Sequence, residues 1–259
     1  MTLVADLHIH TVLSACASRD MRPPAIIRAA VERGLSVIAV CDHNSAGNTA
    51  AVAAAAMGVA DGPLVIAGME VTSQEEVHVL GLFPDPAAAA AASAEVGDGL
   101  PRWRQLLRAG AAPRDPDQEL VDASGRTVGV ERRMLAAASP FSLSGVVDLI
   151  HRHGGLAVAA HMDRRSFSVP GQLGFLPLDV PFDALEISAA GARRGRAADF
   201  EAPGLPLVSS SDGHFLEDIG TGLTVLEVEA FPWPAGQASC FSEIARAVRR
   251  IEGRSCRIA

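Results

Sequence analysis

Apolar and polar positions alternate along the chain with two periods, one suited to strands and one to helices. Residues 4–11 read as a strand, and 23–33 as a helix with Pro24 in its first turn and Gly34 just past its end. The run SVIAVC at 36–41 reads as a buried strand, and the Ala-rich stretch 48–57 as a helix stopped by Gly58. Residues 64–67 and 77–83 read as strands. The rhythm resumes with a helix at 144–153, ended by Gly154 and Gly155, and with strands at 156–160, 184–187 and 205–209. A late strand at 223–228 and a helix at 241–251 close the pattern. Strands alternating with helices predict an α/β protein with a parallel sheet, and about seven such units fit a barrel better than an open sheet.

Residues 84–139 break the rhythm, with an Ala-rich start followed by polar sequence containing Pro and Arg. They read as a small insertion or cap beside the barrel mouth, or as an ordinary excursion of helix and loop. With 259 residues and 49% hydrophobic content, the chain suits one domain over 1–259.

No apolar run reaches the roughly 18–20 residues of a membrane span. The chain enters its first strand without a basic, then apolar, leader, so a cytoplasmic location and no membrane partner are the expectation. The cysteines (Cys16, Cys41, Cys240 and Cys256) lie far apart and read as free thiols. A net charge of −8 argues against a broad electrostatic footprint for long nucleic acid. It leaves a phosphorylated small molecule open, because bound cations invert the local field.

The candidate chemistry is carried by histidines and acids around the strand ends. In DLHIHT, His8 and His10 are two apart and share one face of a strand, where a divalent cation could hold both imidazoles. Asp42 and His43 follow the buried run SVIAVC directly, and Glu70 follows PLVIA. His78 stands in an apolar strand, His161 follows LAVAA, and Asp212 and His214 repeat the two-residue spacing after LPLV. Each could be a satisfied core or loop residue by itself. Together, six of the eight histidines with Glu70 and Asp212 fall in or just after predicted parallel strands, whose ends converge on one mouth in such a fold. Eight N/O ligands exceed one tetrahedral site and suit two or three cations. His151 and His153 sit in the last turn of a predicted helix and read as partners of its C-terminus.

The pieces DLHIHT, CDHN, GMEV, HVLGL, AAHMDR and SSSDGH, in this order and spacing, make the chain resemble the PHP (polymerase and histidinol phosphatase) family, in a stand-alone form. The resemblance covers the chain apart from 84–139. It implies a distorted (β/α)7, TIM-like barrel and a centre of two or three divalent ions (Mn, Fe or Zn). It places His8, His10, Glu70 and Asp212 on one ion, bridges Glu70 to a second held by His78 and His161, and gives His43 and His214 to a third. The segment Ser14-Ala15-Cys16-Ala17 departs from the family pattern near this third site. Cys16 is there either a thiolate ligand or a packing thiol.

The activity this implies is hydrolysis of a phosphomonoester of a small metabolite or nucleotide by a metal-bound hydroxide. Glu70, His161 and His214 are the candidate catalytic residues. Arg164 and Arg165 are candidate phosphate binders, or else solvated loop arginines, the reading preferred for Arg193, Arg194 and Arg196. Asp6 and Asp42 are expected to orient imidazoles. The alternatives are a phosphodiesterase or nuclease acting on short oligonucleotide ends, a non-catalytic metal-binding module, and a hydrolase of C–N bonds.

Overall fold

The computed structural model describes residues 1–103, 117–201, 204–229 and 237–259. Its main sheet has nine strands in the order β11-β10-β1-β2-β3-β4-β7-β8-β9. These are β1 (Thr2–Ile9), β2 (Val37–Val40), β3 (Leu64–Thr72), β4 (His78–Phe83), β7 (Leu156–Ala159), β8 (Ala184–Ser188), β9 (Leu207–Ser210), β10 (Thr224–Glu227) and β11 (Ser255–Ile258). A separate pair is formed by β5 (Glu119–Val121) and β6 (Thr127–Val130).

The sheet curls almost into a barrel. Beyond β9 the chain returns to β1: His10 N–H donates to the Gly213 carbonyl at 2.9 Å, and Gly213 N–H donates to the His8 carbonyl at 3.1 Å. This is the distorted TIM-like α/β barrel that the sequence predicts.

The strands are not all parallel. β1, β2 and β3 run together, as do β7, β8 and β9, but β4 is antiparallel to both β3 and β7. The cause is the connection after β3. Residues 73–77 are too few for the crossover that a parallel neighbour needs, so the chain turns back on itself. β10 likewise runs against β1, and β11 against β10. The β4 reversal matters for the site, because it puts the start of β4, rather than its end, on the rim where the parallel strands finish.

Helices cover the sheet and supply its core. Helix α1 (Pro23–Glu32) begins with two prolines and buries Ile26, Ile27 and Ala30. Helix α2 (Thr49–Met57) follows Asn48. In α3 (Pro86–Asp98) the Asp85 side chain accepts the Ala88 N–H at 2.8 Å, and the helix buries Ala89, Ala92 and Val96. Helix α4 (Leu143–Arg152) is capped by Ser142 and buries Val146, Val147, Leu149 and Ile150. Short helices α5 (Val169–Leu173) and α6 (Ala189–Arg193) follow, and α7 (Gln237–Arg249) lies toward the end. Within 84–139, α3 is therefore built into the main core, β5 and β6 form their own hairpin, and 104–116 lie outside the described residues.

Among the described residues, no helix is long and apolar enough to cross a membrane.

Candidate metal centre

One rim of the barrel gathers the predicted side chains. His8 and His10 come from the end of β1, His43 from just after β2, and Glu70 from the last turns of β3. His161 follows β7, and Asp212 and His214 follow β9. His78 reaches the same rim only because β4 is reversed and begins there.

Glu70 is the hub. Its carboxylate, on a residue only 1% exposed, has five imidazoles around it. Oε1 lies 2.8 Å from His78 Nδ1, 3.1 Å from His161 Nε2 and 3.6 Å from His8 Nε2. Oε2 lies 2.9 Å from His43 Nδ1 and 3.5 Å from His10 Nε2. Asp212 sits across the cluster, with Oδ1 3.1 Å from His10 Nε2 and 3.3 Å from His8 Nε2. Among the described residues, three groups have donor atoms close enough to share a cation: His8, His10 and Asp212; His43, Glu70 and His78; and His10, His43 and His214.

Buried atoms that approach without bonding show that these residues fit cations. His43 Nδ1, His78 Nδ1 and Glu70 Oε2 are buried and make no hydrogen bond, although 2.8–2.9 Å separates them from opposing atoms. The angles are wrong for a proton between them. Buried polar atoms left unpaired are costly, and a cation satisfies several converging lone pairs together.

Surrounding acceptors fix the imidazole tautomers in the same sense. His8 Nδ1 faces both Glu186 oxygens at 3.2 Å and can only donate to them, leaving Nε2 for the cluster. His214 Nδ1 donates to the Asp212 carbonyl at 2.8 Å, again freeing Nε2. His10 Nδ1 lies 3.0 Å from Ser14 Oγ, whose only proton goes to Asp42 Oδ1 at 2.7 Å. Ser14 must therefore accept from His10, which leaves Nε2 of His10 pointing inward. The Nε2 atoms of His8 and His10 face each other at 3.1 Å, and two such lone pairs repel unless a proton or cation sits with them.

The electrostatics follow. Burial opposes charge on His8, but Glu186, Asp212 and Glu70 outweigh it and hold its pKa well above the ordinary value. Burial likewise opposes charge on His43, and Glu70 and Cys16 raise it to about 10. Burial lowers His10 well below the usual range, aided by His43 and His214, and it also lowers His78. Burial resists ionisation of Glu70, yet His78, His8 and His43 push its pKa well below the carboxylate range. Asp212 is lowered in the same way by His8 and His10. Without cations, protons on imidazoles balance the two carboxylates. Cation binding would release those protons.

Two acids act differently from the sequence expectation. Asp6 makes no contact with an imidazole ring among its hydrogen bonds. It accepts the backbone N–H of Ser211 at 3.0 Å and of Gly220 at 2.8 Å, holding the segment that carries Asp212 and His214. Burial raises its pKa to about 6 despite these bonds. Asp42 accepts Thr11 N–H, Thr11 Oγ1 and Ser14 Oγ, each at 2.7 Å, and reaches His10 only through Ser14. The acid that does hold an imidazole directly is Glu186, which the sequence reading missed. Besides His8, it accepts the backbone N–H of His161 at 3.0 Å. Its sequence signal is a lone carboxylate in the apolar run ALEIS, which becomes a buried charge in need of partners.

Backbone strain marks the same rim. His161 and Asp212 both have positive φ, 31° and 52°, a conformation that non-glycine residues rarely hold without surrounding support. Gly68 is needed for close approach, since a Cβ there would lie 2.8 Å from Cys41 Sγ and 3.0 Å from the Gly81 carbonyl oxygen.

A cavity of about 190 Å³ opens over the cluster, lined by His43, Glu70, His78, His161, Asp212 and His214, with Arg164, Ser166 and Phe167 at its edge. Arg164 Nη1 lies 2.5 Å from Asp212 Oδ2. Arg165 is exposed and does not line the cavity. Phe167 stacks on the His78 ring at 4.6 Å. His151 and His153 stand apart from the cluster, paired with Asp183 at 2.9 Å and Glu95 at 2.7 Å.

Cys16, on the loop after β1, is exposed and lies near the imidazoles of His214 and His43. Partial desolvation would raise its thiol pKa, but these two imidazoles lower it to about 6.

Comparison with known proteins agrees with this architecture. Endonuclease Q, solved with a 27-mer duplex bearing an abasic lesion at its active site, superposes with a TM-score of 0.66 at 19% identity. The match covers 98% of this chain but 58% of the endonuclease, so the chain spans under two thirds of that protein. A putative metal-dependent phosphoesterase from Bifidobacterium adolescentis matches with a TM-score of 0.52 at 21% identity, over 81% of this chain and 87% of that one. The fold is of the PHP type. An amidohydrolase from Chromobacterium violaceum, solved with bound sulfate and no metal, matches with a TM-score of 0.57 at 25% identity, over 88% of this chain and 92% of that one. No protein-family profile and no curated protein sequence matches the chain.

Proposed function

We propose that the chain is a metal-dependent phosphoester hydrolase, acting on a phosphomonoester of a small metabolite or nucleotide. The observation that carries this reading is the Glu70 carboxylate ringed by five imidazoles, with its own oxygen and two facing nitrogens unpaired in the interior. Two or three divalent ions (Mn, Fe or Zn) fit this donor set. His8, His10, Asp212 and Glu70 would hold one, Glu70 with His78 and His161 a second, and His43 and His214 would contribute to another. Bound divalent ions supply Lewis acidity toward a phosphoryl oxygen and acidify water.

The chain's own residues supply binding and order. The small cavity admits a terminal phosphoryl group more readily than a chain running through it. Arg164 is placed at its edge, with a planar fork of donors that suits phosphoryl oxygens. In this role it would exchange Asp212 for the substrate. Arg165 would contribute from the exposed side only by moving. Glu186 and the Asp42–Ser14 pair keep His8 and His10 in the tautomers that face inward. His161, His214 and Glu70 line the cavity in which the ester would react, and would act as catalytic residues there by holding the ions against it. The domain reading remains one barrel over 1–259, with 84–139 as its insertion and a cytoplasmic setting.

The endonuclease likeness favours a second reading, a phosphodiesterase acting on nucleic acid, against which the net charge of −8 weighs. Metal-loaded protein should be offered nucleoside monophosphates, bisphosphates, bis-p-nitrophenyl phosphate, short oligonucleotides and an abasic duplex. The monoesterase reading expects phosphate release from the first two classes. Cleavage of only the diesters would transfer the assignment to the second reading, and no turnover of any ester by fully loaded protein would end both.

A further inference from the structure

We infer that Phe167 is a specificity-determining residue of this centre, and that its ring stacks on a planar aromatic group carried by the leaving alcohol of the phosphate ester. This rests on the hydrolase reading above and deepens it by naming the substrate class.

Phe167 stands at the edge of the cavity over the histidines, beside Arg164 and Ser166. Among the described residues lining that cavity it is the single apolar one; the others are histidines, acids, Arg164 and a serine. Its ring lies nearly parallel to that of His78, with 4.6 Å between centroids and 19° between planes. Burying a large apolar ring is favourable, yet Phe167 is 41% exposed. The part of it that does not cover His78 is therefore open to solvent at the cavity edge. A phosphoryl group held by the cations and Arg164 would fill the small cavity, so the rest of the ester has to leave past this ring. Offset stacking is the arrangement an aromatic face favours with a second planar ring.

The backbone holds the ring in this place. Phe167 has a φ of 58°, which a bulky residue rarely adopts and which favours glycine or asparagine. The turn itself therefore gives no reason for an aromatic side chain. The Phe167 carbonyl accepts the His78 N–H at 2.8 Å. Ser168, fully buried, donates its hydroxyl to the Arg164 carbonyl at 2.6 Å and accepts the Gly171 N–H at 3.0 Å. Arg164 N–H closes a turn onto the His161 carbonyl at 2.9 Å. One pinned loop thus carries the guanidinium suited to phosphate and, three residues on, the exposed ring. A platform fixed before binding loses little freedom when the substrate arrives. An apolar cover over His78 alone would be served equally by leucine, whereas stacking on a planar group would not.

The test compares esters that differ in the planar group and share a primary alkoxide as leaving group. Metal-loaded native protein, Phe167→Ala, Phe167→Leu and Phe167→Tyr are assayed with AMP against ribose 5-phosphate, and with benzyl phosphate against cyclohexylmethyl phosphate. The first pair reads a nucleobase and the second an aryl group. Calorimetric binding of benzylphosphonate against cyclohexylmethylphosphonate gives the same comparison without turnover. Stacking of a base on an aromatic side chain corresponds to about 5- to 150-fold. Native protein should prefer the aromatic member of at least one pair by a kcat/KM ratio in that range. The ratio should collapse in Phe167→Ala, fall in Phe167→Leu and persist in Phe167→Tyr, with bound metal per chain unchanged. A role confined to covering His78 would alter both members of a pair alike and leave the ratio as it was. Equal kcat/KM within both pairs for native protein, or a preference that survives Phe167→Ala, overturns the inference and leaves the hydrolase reading standing. No turnover of any ester by fully loaded protein overturns both.

Discussion

Glu186 and His8, far apart in sequence, meet in the interior with the His8 Nδ1 3.2 Å from both carboxylate oxygens. The contact decides which nitrogen of His8 faces the cluster. The same carboxylate fixes the backbone of His161 through its N–H. One residue outside the ligand set therefore aims two of its members.

Glu186→Gln keeps the shape and removes the charge. Its amide can present one oxygen to His8 Nδ1 but no longer favours the polarised imidazole. Metal affinity should fall about 10- to 100-fold, as is common when the partner of a metal-bound histidine is replaced. Competition titration against a chelating dye measures it, and an unchanged affinity would refute the role given to Glu186.

Ser14→Ala cuts the path from Asp42 to His10. The change leaves Asp42 without one of its three donors and His10 Nδ1 without an acceptor. A buried polar group left unpaired costs about 1–3 kcal/mol, so the variant should show that loss in urea unfolding and weaker cation binding. Equal stability of variant and native protein would show that water replaces the hydroxyl without cost.

Removing the cations should lower stability, because the folded cluster binds them and the unfolded chain does not hold the site together. At free metal about 100 times the dissociation constant, the linkage is about 2.7 kcal/mol. Calorimetry with and without EDTA should show a melting temperature that rises with free manganese or zinc. A melting temperature indifferent to metal would contradict the fit argued from the unpaired buried atoms.

Arg164→Ala tests the substrate role. A charge-assisted hydrogen bond contributes about 1.5–3 kcal/mol, which corresponds to a loss of about 10- to 150-fold in kcat/KM for a phosphomonoester. Metal content should stay near the native value. Arg165→Ala, which changes an exposed side chain that does not line the cavity, should have a smaller effect. Equal losses in the two variants would refute the distinction.

Much of this site is readable before folding is considered. HxH on a strand, Asp-His after SVIAVC and SSSDGH after LPLV carry their chemistry in local spacing, because side-chain alternation along a strand is a local property. What sequence could not show depends on long-range pairing. The direction of β4 follows from a short turn and decides why His78 arrives at the rim from the opposite end. Glu186 is visible as an odd charge in ALEIS, but its partner lies at the other end of the chain. Asp6 and Asp42 were legible as buried acids beside ligands, and only the fold shows that they hold backbone and hydroxyl groups in place of imidazole rings. Arg164 and Arg165 are indistinguishable by position in sequence, and the loop turns one to the cavity and the other to solvent.

The most direct measurement is metal content and phosphate release of Glu70→Ala beside the native protein, each loaded with manganese or zinc and checked for native circular dichroism. The account predicts loss of at least one bound ion per chain and of phosphate release by about two to three orders of magnitude, on the scale of removing a group that stabilises charge in a transition state. A folded Glu70→Ala protein that keeps its full complement of ions and its activity would contradict it.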